Sequence, residues 1–221
     1  MTDLIYWFLE IDDHLMELAH TYGPLTYLIL FLVVFSETGL VVAAFLPGDG
    51  LLFSAGVIAA AGALNVWGLV PLLILAAVLG NMTNYFIGRY LGKRMISAKR
   101  WRLFKQKDLD RTHAYYEKHG GMALILGRFL PVVRTFVPFV AGIGRMDYVD
   151  FMRFNLIGAL AWVTPLTFAG FIFGDLPWVQ ANFGLIYVGL VVVTAIPLLW
   201  GALNMLWKRI TRKAVVSEEK P

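Results

Sequence analysis

Apolar residues run along this chain in long blocks, and the interruptions carry more information than the blocks do. Residues 25–46 are apolar enough to span a bilayer, yet Glu37 lies among them and Pro47, Gly48, Asp49 and Gly50 follow at once, ahead of another apolar run to Leu64. A carboxylate at that depth is costly. Proline and two glycines also break the helical hydrogen-bond ladder, which lipid tolerates only where the break packs on protein or lines a cavity. The pattern predicts a re-entrant hairpin or broken helix. Residues 25–35 agree, since eleven residues at about 1.5 Å each cover only about half of a ~30 Å hydrocarbon core.

The remaining blocks sort in the same way. Residues 67–87 predict a true crossing, with Gly88 and Gly92 spaced for close helix packing at its end. Residues 122–142 are apolar but interrupted by Arg128, Pro131, Arg134 and Pro138, which predicts a second re-entrant element. Residues 151–173 predict a crossing despite Pro165, because neighbouring helices accommodate a proline there. Gly170 and Gly174 give that crossing a packing face. Residues 183–207 predict the last crossing, with Trp178 and Tyr187 near one end and Trp200 and Trp207 towards the other as interfacial anchors. Residues 1–20 mix Ile5, Trp7, Phe8, Ile11, Leu15 and Leu18 with Glu10, Asp12, Asp13 and Glu17, the pattern of an amphipathic helix lying in the interface.

The predicted fold is therefore an all-α integral membrane protein: two re-entrant hairpins, about three transmembrane helices and an N-terminal interfacial helix. Its organisation is the interfacial helix over 1–20, one membrane domain over 21–210, and a disordered tail over 211–221. Composition agrees, with 59% hydrophobic residues and a mean hydropathy of +0.69, well above an ordinary soluble domain.

Charge then supplies topology. Residues 1–88 hold no Lys or Arg, whereas residues 89–118 hold ten. Nucleic-acid binding is the rival reading of so basic a loop, but its apolar flanks favour the positive-inside rule, which puts loop 89–118 and the basic C-terminus in the cytoplasm. The acidic N-terminus goes to the periplasmic side. It has no basic n-region, so no cleavable signal peptide is expected. The chain has no cysteine, and His14, His20, His113 and His119 are scattered without ligand spacing, so neither metal nor cofactor is expected.

The two interrupted segments align without a gap over 37–47 and 128–138, matching Val41 with Val132, Val42 with Val133, Phe45 with Phe136 and Pro47 with Pro138. If one enters from outside and the other from inside, the chain holds an inverted repeat of discontinuous helices with a site where they meet, as in transporters. The copies carry opposite charges: Glu37 and Asp49 in the first, Arg128 and Arg134 in the second. Unpaired, each would be expensive at mid-membrane, so pairing across the hairpins is expected. One reading is purely structural, four charges locking two hairpins together. The other is functional: guanidinium forks match phosphate oxygens, and the carboxylates hold the arginines in their absence or take up protons when substrate displaces them.

At these residues the chain resembles the DedA family of bacterial membrane proteins. The resemblance covers roughly 11–207 and rests on Glu37-Thr-Gly, Phe45-Leu-Pro-Gly-Asp49, Ala55-Gly56, Tyr85-x-x-Gly-Arg89, Gly127-Arg128-Phe129 with Pro131 and Arg134, Ala141-Gly142, and Asn155-x-x-Gly158 with Trp162. It implies a multi-pass bacterial inner-membrane protein that moves a lipid-linked substrate such as undecaprenyl phosphate, with proton dependence. It also implies essential roles at Glu37, Asp49, Arg128 and Arg134. Several relatives have Gly-Asp where this chain has Gly80-Asn81, which puts an additional proton-carrying acid there in doubt. Arg89 is expected to snorkel from the cytoplasmic end of its helix.

Three functions remain to be weighed. The first is a transporter of a phosphorylated polyprenyl or similar anionic lipid, with Arg128 and Arg134 on the phosphate and Glu37 and Asp49 in proton coupling or charge pairing. The second is a proton-coupled exporter of small cations or drugs, using the two acids as binding groups. The third, an intramembrane hydrolase, is disfavoured because no Ser/His or Cys/His arrangement offers a nucleophile with its base; no enzyme is expected. Expected partners are membrane lipids and protons, not nucleic acid. The paired glycines allow a homo-oligomer. The spread of aromatic residues fits packing and anchoring, and none is expected in the site.

Overall fold

The computed structural model describes residues 23–40, 48–97, 121–182, 184–186 and 189. The predicted interfacial helix, most of the basic loop, nearly all of the last crossing and the C-terminal tail lie outside the described residues, as does the turn at Pro47. Within them the chain is helical, with no strand: α1 (Pro24–Gly39), α2 (Gly48–Ala60), α3 (Val66–Ser97), α4 (Met122–Leu126), a 3-10 turn (Gly127–Phe129), α5 (Pro131–Ile143), α6 (Tyr148–Phe173) and α7 (Pro177–Ala181). Helix α3, over Val66–Tyr90, and helix α6 are long and apolar enough to cross a membrane.

Local chemistry sets several helix limits. Pro24 and Pro131 open α1 and α5, where a missing N–H leaves no helical bond unmade. Asp147 caps α6 by accepting from the backbone N–H groups of Val149 and Asp150. Leu130, in extended conformation, separates the 3-10 turn from α5. The interruption in this segment therefore falls before Pro131, while Pro138 lies inside α5. Glu37 likewise lies in the last turn of α1, which continues to Gly39. The basic segment begins within α3, which runs on helically to Ser97.

The helices are inside-out by the standards of water-soluble proteins. On α1, Thr26, Leu30, Val34, Glu37 and Thr38 form the buried face, while Leu25, Leu28 and Leu32 are exposed. On α6, Asn155, Gly158, Trp162 and Thr167 are turned inward, with Leu156, Ile157, Leu160 and Ile172 outward. Exposed apolar surface on this scale needs lipid around it, and the polar side chains that remain must find partners inside.

Helix α3 packs against α1, α5 and α6, and α2 lies against α6. The α2–α6 contact is backbone on backbone: a Cβ on Gly56 would run into the Thr167 carbonyl, with the Phe171 nitrogen at 2.8 Å and Gly170 Cα at 3.0 Å. Two apolar clusters result. The larger joins α1, α2, α3 and α6 through Leu30, Leu52, Leu69, Leu73, Ala159 and Val163. The smaller holds Tyr85, Leu124, Ala141, Met146 and Phe151. Along α3, Asn81 and Asn84 fall between Val78 of the larger cluster and Tyr85 of the smaller; along α6, Asn155 falls between Phe151 and Ala159. A polar layer thus crosses the interior between two dry ones.

The glycine contact predicts a contrast. G56A forces α2 and α6 apart and destabilises the protein by about 1–3 kcal/mol, the usual cost of overpacking. G68A, at a helical glycine with nothing within 4 Å of the new methyl, leaves stability unchanged or raises it. Thermal melts of the two variants in detergent check this.

Candidate functional site

The polar layer is assembled from helix ends. Glu37, in the last turn of α1, accepts through Oε1 from the Gly48 N–H at 3.0 Å, and Gly48 is the first residue of α2. A carboxylate thereby satisfies one of the open N–H groups of α2 and meets the positive end of its dipole. Asp49 adds a second acid to the same first turn. Gly48 leaves room for this: a Cβ there would overlap the Glu37 carboxylate.

Two acids at one helix end repel each other, and Arg134 resolves the conflict. From the first turn of α5 its Nη2 donates to Glu37 Oε1, and its Nη1 donates to Asp49 Oδ1 at 3.2 Å. The three are withdrawn from the surface, with side-chain exposures of 4% for Arg134, 0% for Glu37 and 15% for Asp49. Asp49 is the open side of the cluster. Its Oδ1 also accepts from the indole Nε1–H of Trp162, on α6, at 2.7 Å. Glu37 Oε2 is buried without a hydrogen-bond partner.

Arg128 has different company. It sits on the 3-10 turn, buried, and its Nη2 donates to Asn155 Oδ1 at 2.6 Å and to the Asn155 carbonyl at 3.2 Å. Asn155 is itself fixed by donating from Nδ2 to the Val78 carbonyl at 3.1 Å. Asn81 completes the setting: its amide oxygen accepts from Arg128 Nη2 at 2.9 Å and its nitrogen donates to the Thr38 carbonyl at 3.3 Å. Gly158 makes room for the arginine, since a Cβ there would stand 2.9 Å from Arg128 Nε. Among the described residues no carboxylate pairs with Arg128, and its Nε is buried without a partner.

Of the four charges expected to meet, the fold brings Glu37, Asp49 and Arg134 into direct contact and holds Arg128 apart from them. Trp162 lies near both arginines, its ring centroid 5.2 Å from the Arg134 guanidinium carbon and 6.0 Å from that of Arg128. With every group ionised, one cluster carries two negative charges and one positive, and the other a single positive. Cation–π attraction gives each guanidinium a second interaction there.

Trp162, Asn155 and Asn81 are therefore part of the site, and Trp162 corrects the expectation that aromatic residues only pack and anchor. A signal for them existed. Asn155, Gly158 and Trp162 recur at helical spacing on one face of an otherwise apolar helix, and a lone Asn in such a helix needs a partner inside. Arg89, expected to snorkel, folds back instead: its Nη1 donates to the Tyr85 hydroxyl, which donates to the Met146 carbonyl at 2.6 Å.

Residues 46–172 match the model of the VTT domain. Protein DedA of Escherichia coli K12 is 50% identical over 201 residues, covering 88% of this chain and 92% of that protein. The chain belongs to the DedA family. An uncharacterized membrane protein of Mycobacterium tuberculosis is 39% identical over 194 residues, covering 87% of this chain and 84% of its own. Inner membrane protein YqjA of E. coli K12 is 36% identical over 187 residues, covering 83% and 84% respectively. No solved structure gives a significant match. The VTT match holds Asp49, Asn81, Arg128, Arg134, Asn155 and Trp162 and begins after Glu37. Like these DedA relatives, the chain is a membrane protein, and helices α3 and α6, long and apolar enough to cross a membrane, contribute Asn81 and Asn155 to its polar layer.

The pairing has a direct consequence for stability. R134A strips the cation from buried Glu37 and partly exposed Asp49 and costs about 3–5 kcal/mol, the usual penalty for breaking a buried pair from one side. Adding E37Q to R134A removes one of the two stranded charges while keeping an oxygen for the Gly48 N–H, so the double variant recovers part of the loss. Denaturant or thermal melts of the three proteins measure both effects.

Proposed function

We propose that this DedA-family protein is a transporter that moves an anionic phosphorylated lipid carrier, undecaprenyl phosphate or a similar lipid, across the bacterial inner membrane with coupling to protons. The observation that carries the reading is the unequal treatment of the two arginines. Arg134 is held by two carboxylates, whereas Arg128 has only neutral amides and an indole about it. A buried guanidinium without a counter-ion is costly, and an entering anion removes that cost. Phosphate oxygens suit its planar donors, while the apolar tail stays in lipid.

On this reading Arg128 is the first anchor for the headgroup, and Arg134 joins it when Glu37 and Asp49 release it on taking up protons. The lengths of α1, α2 and α5, of 16, 13 and 13 residues, favour two re-entrant hairpins, because at about 1.5 Å per residue each falls short of a ~30 Å core. Such hairpins related by an inverted repeat would present the site alternately to the two leaflets. The basic loop 89–118 and the C-terminus face the cytoplasm by the positive-inside rule, with the interfacial helix 1–20 on the periplasmic side. A homo-oligomer would be compatible with this arrangement.

A second reading, a proton-coupled exporter of small cations or drugs, draws support from Glu37 Oε2, a buried acceptor with no donor. Reconstitution separates the two. Liposomes carrying a phosphorylated polyprenyl lipid are prepared with wild type, R128A or R134A, and headgroup exposure at the outer leaflet is followed with and without a pH gradient. The lipid transporter gives rapid exchange that R128A slows at least about tenfold, the scale for losing a charge-assisted hydrogen bond. An unaffected R128A, or wild type that does not accelerate exchange, moves the assignment to the cation exporter. R128A is the cleaner variant, since it strands no carboxylate.

A further inference from the structure

We propose that Asn81 determines the anion selectivity of the site: standing beside Arg128 with a neutral amide, it leaves that guanidinium's charge available to a phosphate-type anion. The inference deepens the transport reading and rests on it for the identity of the ligand.

Asn81 is buried on α3, with one amide position 2.9 Å from Arg128 Nη2. Every element packed around that point has a defined charge. Helix α1 contributes Glu37 and α2 contributes Asp49, both in contact with Arg134 of α5. Helix α6 contributes Asn155 and Trp162, which are uncharged, and the 3-10 turn contributes Arg128. Helix α3 contributes Asn81 and, one turn on, Asn84, whose Nδ2 donates to the Thr135 carbonyl at 2.5 Å. An aspartate has the same carbon skeleton as asparagine, so a change of one atom at Asn81 would set a carboxylate within salt-bridge distance of Arg128.

Neutrality matters at this position. With its oxygen on Arg128 and its nitrogen on the Thr38 carbonyl, Asn81 partly solvates the guanidinium without cancelling its charge. A carboxylate there has no donor for the Thr38 carbonyl, and at low local dielectric its attraction to Arg128 competes directly with a phosphate while its charge repels one.

The test compares full-length wild type, N81D and N81L in detergent, titrated with inorganic phosphate and, separately, with farnesyl phosphate, and followed by thermal stabilisation. N81L removes the amide without adding charge. We expect N81L to bind within about fivefold of wild type, the scale of a neutral hydrogen bond. We expect N81D to bind about a hundredfold or more weakly at neutral pH, the scale of apposed like charges. Without ligand, N81D melts no lower than wild type, because the introduced carboxylate pairs with Arg128, whereas a merely structural defect lowers the melting temperature. Tight binding of farnesyl phosphate alone marks a lipid headgroup as the ligand; equal binding of both probes marks free phosphate. Equal weakening in N81D and N81L, wild-type affinity in N81D, or no binding of either probe to wild type overturns the proposal. Wild type that binds but does not move the lipid in liposomes sinks the transport reading and leaves the role of Asn81 standing.

Discussion

Arg134 reaches from the first turn of α5 to carboxylates on two other helices, and the interior of this protein is arranged around that reach. In water such a trio would contribute little, because each ion is already solvated. Here the outer faces of α1 and of α6 beyond its first turns are mainly leucine and isoleucine, so bulk water is not the competing partner. Bringing a guanidinium to Glu37 and Asp49 then decides whether two acids can share the N-terminus of α2 at all. The Gly48 N–H adds to the same carboxylate, so the start of α2, the end of α1 and the start of α5 are fixed by one cluster.

Arg128 shows the opposite solution. Its seat is built from a glycine that makes space, an asparagine fixed by the Val78 carbonyl, and a second asparagine whose amide oxygen faces the guanidinium. None of these neutralises the charge; they orient and partly solvate it. Neutral dipoles hold a cation more weakly than a carboxylate does, and they can be displaced without leaving a second ion unpaired. That asymmetry within one polar layer cannot be deduced from the residue types alone, since both arginines occur in the same short interrupted segment.

Much of this was legible in the sequence, and the part that was not has physical causes. Glu37 beside the Pro-Gly-Asp-Gly break and the arginines beside Pro131 stood out because charge and backbone breakers are expensive in an apolar run. Gly170 and Gly88 stood out as small residues at helix contacts, and both lie against neighbouring backbone. The limits of the breaks were harder to locate. Proline at the first position of a helix and proline inside one look alike in sequence, so Pro131 and Pro138 could not be told apart without the extended Leu130 between turn and helix. The partners of Arg128 were hidden because Asn81 and Asn155 lie 74 residues apart. Trp162 was passed over, although it shares a helix face with Asn155, because an indole in an apolar helix usually needs no role beyond packing.

Trp162 is the element that makes one site of two charge groups. Its N–H holds Asp49 in place while its ring lies near both guanidinium groups and attracts each of them. Two bare guanidinium groups in contact would repel, and two salt-bridged ones would have nothing left to offer a ligand. An indole near both permits a third state, in which one cation is paired and the other is held by neutral groups alone. A polar layer of this kind is neutral overall and polarised within, its uncompensated positive charge lying at Arg128.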